Sequence, residues 1–138
     1  MAENVETVRR AVEAINRRDI EGYLDCCTDD IELHITAIET IGGEYIGRDA
    51  IHRFWTDIAD TAPDFSVVVE RAESIADDCV IAFMLVNATG RASRIAVMDD
   101  ARTLNLYDFR HGKISRVRVF NDRAEGLAAA GLPEDEAG

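Results

Sequence analysis

Three histidines and three cysteines are the side chains of this 138-residue chain best suited to proton or nucleophile chemistry near neutral pH: His34, His52, His111, Cys26, Cys27 and Cys79. Their spacing limits what they can do. No CxxC pair is present, and the histidines and acids are scattered, so neither a disulfide framework nor a metal centre is expected. Cys27 fits an apolar helical stripe and reads as a buried, inert thiol. The segment "GGEYIG" lacks the strand-glycine-helix setting of a dinucleotide fingerprint, and no cofactor is implied. His34 is the candidate for proton transfer. It lies in "DDIELHIT", where alternation places Ile31, Leu33 and Ile35 on one face and Glu32, His34 and Thr36 on the other. His52 falls off the apolar stripe of its helix and His111 falls in a turn, so both read as surface. Glu39 and Glu44 belong to a loop expected to rim a pocket mouth.

The second concentration of chemistry is "LNLYDFRHGKISRVRVFND", two strands joined at His111-Gly112. Strict alternation predicts that Phe109 faces Ile114, Tyr107 faces Arg116, Asn105 faces Arg118 and Thr103 faces Phe120, all on one side. Leu104, Leu106, Val117 and Val119 then form the other side. The mixed face can look at water, at a partner or into a cavity. An inward guanidinium needs an acid, carbonyls or an anionic ligand. Arg118 therefore has two readings, pocket or dimer interface, and Arg116, nearer the turn, is assigned to the interface.

The elements that position these groups follow from periodicity. Val5, Val8, Val12 and Ile15 predict a helix over 3–17. Asp19 is the expected N-cap of a shorter helix with the stripe Ile20, Tyr23, Leu24 and Cys27. A loop with a Gly42-Gly43 turn is expected next, then a helix over 48–60 carrying Ile51, Phe54, Trp55 and Ile58, ended by Pro63. From residue 64 the pattern is β, with four long strands at 65–75, 79–89, 94–109 and 113–120. Asp122 and Glu125 form a capping-box pattern for a short helix ending at Gly131. Helices followed by a mostly antiparallel sheet make an α+β layout, one domain over 1–132 with an acidic tail at 133–138.

The net charge of -12 argues against nucleic acid and anionic membranes as partners. The N-terminus has no apolar signal core, and a cytoplasmic location is expected. Only one of the 15 basic residues, Lys113, is lysine.

Three stretches, "VRRAVEAINRRDIEGYLDCCTDDIEL", "GGEYIGRDAIHRFW" and "LYDFRHGKISRVRVFNDRAEGLAAAGL", resemble the nuclear-transport-factor-2-like superfamily, and within it the SnoaL-like (polyketide cyclase-like) branch. The resemblance implies helices packed in the concave face of a strongly curved sheet, a cone-shaped α+β barrel. It also implies a pocket for a small hydrophobic organic molecule and, in many members, a homodimer. Ketosteroid isomerases share this fold, and the comparison places their tyrosine at Ala11, their base at Ile35 and their protonated aspartate at Asn105. Isoleucine takes no proton, so that mechanism is not expected here. The resemblance puts Asn105 on the pocket wall, to orient or polarise a substrate oxygen, with His34 as the other catalytic candidate. Tyr23, Ile35, Trp55, Tyr107, Arg118 and Phe120 are the expected ligand contacts. Two function classes remain open: an acid/base enzyme acting on a carbonyl compound (cyclase, isomerase or dehydratase), and a non-catalytic ligand-binding or dimerisation module.

Overall fold

Val8, Val12 and Ile15 recur at helical spacing, and in the computed structural model they are the buried stripe of helix α1 (Ala2–Asn16). The structure describes residues 2–38, 41–61, 65–87 and 101–132. Asp19 caps α2 (Ile20–Asp25) by accepting the Gly22 N–H at 2.9 Å. That helix stops one residue short of Cys27, which opens strand β1 (Cys27–Ile38). Strand β2 (Ile41–Ile46) follows, then α3 (Arg48–Thr61), β3 (Ser66–Ala76), β4 (Cys79–Asn87), β5 (Ala101–Arg110), β6 (Lys113–Phe120) and α4 (Arg123–Ala130).

Strand β2 corrects the sequence expectation of a loop. Two glycines hide it, because its order comes from pairing rather than from propensity. It runs antiparallel to β1, with Tyr45 opposite Leu33 and Glu44 opposite His34. The Tyr45 ring packs 4.7 Å from Phe54 of α3. The strand expected over 94–109 is seen from Ala101; its first part, Pro63, Glu39 and the tail at 133–138 lie outside the described residues.

The six strands form one sheet in the order β2-β1-β6-β5-β4-β3. Among the described residues only β1 and β6 are parallel, and the sheet does not close, leaving β2 and β3 as edges. Asn16 clasps the β3 edge, its amide donating to Val67 O at 2.8 Å and accepting from Val67 N at 2.9 Å. That covers one unpaired stretch of strand. Helices α1, α2 and α3 pack on the inner face, and most of the core lies between them and the sheet. Helix α4 packs on the outer face, where Leu127 meets Ile81, Phe83, Leu104 and Leu106. Asp122 caps it through the N–H groups of Ala124 and Glu125. Gly126 gives α4 its close seat there: a Cβ would lie 2.7 Å from Leu104 Cδ2.

The hairpin holds the main correction. His111 (φ 54°) and Gly112 (φ 78°) supply the two positive φ angles a tight type I′ turn needs. Phe109 then faces Ile114, but Asp108 faces Arg116, so Ser115 is an extra residue in β6. This bulge reverses every β6 side chain beyond it. Tyr107 faces Val117 and Asn105 faces Val119, not the two arginines. Arg116, Arg118 and Phe120 share the outer face with Leu104, Leu106 and Asp108.

Candidate functional site

Thr103, Asn105 and Tyr107 alternate along β5 and therefore point together to the inner face. They meet Val117 and Val119 of β6, Met84 of β4 and the helical residues Tyr23 and Trp55 around a cavity of about 80 Å³. The surroundings are apolar, and Asn105 is only 8% exposed. The Thr103 hydroxyl donates to Asn105 Oδ1 at 2.9 Å. This fixes the amide, turning its NH₂ toward Tyr107 Oη and Met84 Sδ, both at 3.4 Å. The Tyr107 hydroxyl in turn reaches Met84 Sδ only at 3.9 Å. A thioether is a weak acceptor, and the amide-to-phenol and phenol-to-sulfur distances are long, so two buried donors are poorly satisfied.

Among the described residues lining the cavity, Tyr23 and Tyr107 are the only ionisable groups. Burial pushes the Tyr107 phenol up to about 12, with the Asn105 hydrogen bond opposing it. Burial raises Tyr23 as well, and the neighbouring Cys27 and Tyr107 add to the effect. Both phenols are neutral donors across the physiological range, and neither is a base.

The expected site residues divide between two faces. Tyr23, Ile35, Trp55, Asn105 and Tyr107 come together in the cavity. His34, Arg118 and Phe120 do not. His34 points outward, as strand alternation implies, with Nε2 on Glu32 Oε1 and Nδ1 on Glu44 Oε2, both at 2.8 Å. Glu44 thus binds His34 instead of rimming the pocket. Arg118 lies on the outer face because of the Ser115 bulge, with Nη2 3.4 Å from Asp108 Oδ2 and its buried Nε unpartnered. Phe120 packs toward the α4 cluster. His34, Glu44, Arg116, Arg118 and Phe120 border an open groove of about 320 Å³, which shares Ile35 and Val119 with the cavity.

Sequence reasoning did not single out Met84, Val117 or Val119. Met84 sits in the continuous apolar run of β4, where alternation gives two equivalent sets and no sign of which faces the cavity. The valines were assigned to the wrong side by the hidden bulge. Cys27 stays an inert thiol although it is not helical. It is 1% exposed, donates to Tyr23 O at 3.3 Å, and burial pushes its pKa to about 12. Among the described residues no cluster of histidine, cysteine and acids could hold a metal, and no helix is long and apolar enough to cross a membrane.

An open six-stranded sheet with three helices on its inner face and a cavity between them defines an α+β domain of the nuclear-transport-factor-2-like type. The chain matches the SnoaL-like domain family over residues 8–117, and it belongs to that family. No curated protein sequence matches it. Solved structures share the fold at low identity. A ketosteroid isomerase-like-fold protein from Catenulispora acidiphila, in complex with trimethylamine, is 18% identical with a TM-score of 0.73, covering 94% of this chain and 95% of its own. TerC co-crystallised with polyporic acid is 19% identical with a TM-score of 0.74, covering 94% and 97%. A protein from Sinorhizobium meliloti assigned as a polyketide cyclase is 16% identical with a TM-score of 0.65, covering 83% and 93%.

Proposed function

We propose that this chain binds a small, mainly apolar molecule through a carbonyl-type oxygen, which Asn105 Nδ2 and Tyr107 Oη hold against the β5 wall. One observation carries the reading: the described cavity lining offers donors with weak acceptors and no group that titrates near neutrality. A ligand oxygen would replace a weak contact to sulfur with a stronger acceptor, the kind of polar anchor that orients ligands in apolar sites. An engineered cavity of about 150 Å³ accepts benzene. The 80 Å³ here is smaller, so a ring-sized ligand needs one lining chain to move. Met84 is suited to this, being unbranched and adaptable.

The test is a binding titration of the whole chain with cyclohexanone and with methylcyclohexane, an apolar body of similar size lacking the oxygen. Asn105→Leu is expected to lower the ratio of cyclohexanone to methylcyclohexane affinity by about tenfold. An unchanged ratio would refute the reading. Trimethylamine, bound by one structural neighbour, is a useful third probe. A donor-lined chamber disfavours its ammonium form relative to the ketone.

An acid/base enzyme is the second reading, because donors that hold a ketone oxygen also stabilise its enolate. It requires a proton acceptor, which the described lining lacks. Deuterium exchange at the ketone α-carbon separates the two: no acceleration supports binding alone, and acceleration lost in Asn105→Leu supports the enzyme.

A homodimer is also part of the proposal. The outer face carries Arg118 with an unpartnered Nε, and the acids Glu32 and Glu44 beside His34. Mixed charge of this kind suits a self-complementary contact. Sedimentation of the parent and of Arg118→Glu tests it, a dimer weakened by the substitution being the expected result.

A further inference from the structure

Trp55 of α3, the single tryptophan of the chain, lines the cavity from the helical side. Its ring is held edge-on by Tyr23, Phe54 and Phe65, with centroid separations of 5.6, 4.9 and 5.7 Å. Its Nε1 is buried and, among the described residues, has no acceptor in good hydrogen-bonding geometry. The Tyr23 hydroxyl stands beside the indole nitrogen but does not accept from it in hydrogen-bonding geometry. Leaving such a donor with only a poorly aligned neighbour carries a desolvation penalty that a phenylalanine at the same place would avoid. Packing alone therefore does not account for an indole here.

The opposite wall carries the poorly satisfied donors Asn105 Nδ2 and Tyr107 Oη. The strongest acceptor there, Asn105 Oδ1, is already occupied by Thr103. One chamber thus has donors on two walls and few acceptors of its own. We infer that the ligand carries two acceptor atoms at opposite ends of a compact, ring-sized body, as a cyclic 1,4-diketone does. One end meets Asn105 and Tyr107, and the other takes the Trp55 N–H. The first end rests on the carbonyl-binding function proposed above; the second is independent of it.

The chain's single indole makes the test direct. Protein labelled with ¹⁵N at the tryptophan indole gives one indole N–H resonance, which belongs to Trp55. It is titrated with cyclohexane-1,4-dione and with cyclohexanone, which need the same room and differ in one acceptor. The dione is expected to bind about tenfold more tightly and to move the indole proton downfield. Cyclohexanone is expected to bind without moving it, and Trp55→Phe to remove only the dione's advantage. Equal affinities with a stationary indole proton would overturn the second pole and leave the Asn105 pole standing. Failure of both ligands to bind the parent chain overturns both readings. If Trp55→Phe does not fold, the indole shift of the parent chain still decides.

Discussion

Asp108 on β5 holds Arg116 Nε at 2.6 Å, while its neighbour Phe109 stands opposite Ile114. The two pairings cannot belong to one uninterrupted ladder, and Ser115 absorbs the difference. That single extra residue decides which side chains reach the cavity. Deleting Ser115 would join Ile114 directly to Arg116, so the ladder runs on without a bulge while Val117 and Val119 keep the inner face and Arg116 and Arg118 the outer one. The expected outcome is a folded variant whose stability changes by no more than about 2 kcal/mol. Ser115→Ala keeps the bulge and loses only the hydroxyl bond to Asp108 O at 3.2 Å, so it should cost about 1 kcal/mol. Urea denaturation measures both variants. Failure of the deletion variant to fold would show that the residues beyond the bulge do not keep their faces without Ser115.

Stability should fall at alkaline pH. An unfolded tyrosine loses its proton near pH 10 and a thiol near 8.5–9. In the native chain Tyr107 and Cys27 both hold theirs to about 12. Between those limits the unfolded chain binds fewer protons than the native one, so stability decreases as pH rises. The contribution is complete below about pH 8.5 and is lost through about pH 12. Two units for Tyr107 alone amount to about 3 kcal/mol. Lysine adds little in this window, because Lys113 is the only one. Urea midpoints measured from pH 8 to 11.5 should fall progressively, and Cys27→Ala should flatten the lower part of the curve.

His34→Gln separates the two faces of the sheet. With both ring nitrogens on carboxylates, His34 ties Glu44 of β2 to Glu32 of β1 on the outer face. The glutamine reaches only one of them, and a stability loss of about 1 kcal/mol is expected. Ketone affinity should stay within about twofold, since a one-kilocalorie effect outside the cavity leaves its donors in place. A tenfold drop in affinity would instead connect His34 to the site.

Gly126→Ala tests the seat of α4. Alanine is the better helix former by about 1 kcal/mol. Its Cβ, however, would press on Leu104, which is fully buried. Overpacking of this kind costs about 1–3 kcal/mol, so the variant should be less stable than the parent by thermal unfolding. A rise in melting temperature would mean that Leu104 repacks freely.

Much of this protein is determined by local pattern in the sequence. The stripes of α1 and α3, the caps at Asp19 and Asp122 and the His111-Gly112 turn each depend on residues a few positions apart. The α+β order follows from them, and so does the inward face of β1 that carries Ile35. Asn105 could be named through the family resemblance, and Tyr107 with it because the two sit two apart on one strand before any irregularity. Tertiary structure decided the rest. Strand β2 exists because β1 offers it an edge. Arg118 and Phe120 left the cavity because one bulged residue, silent in periodicity, reversed a strand. The chemistry of the cavity was also out of reach of the sequence. Whether Asn105 is a satisfied core amide or an open donor depends on Thr103 filling its oxygen while only Met84 and Tyr107 meet its nitrogen, and those contacts arise when β4 and β5 pair.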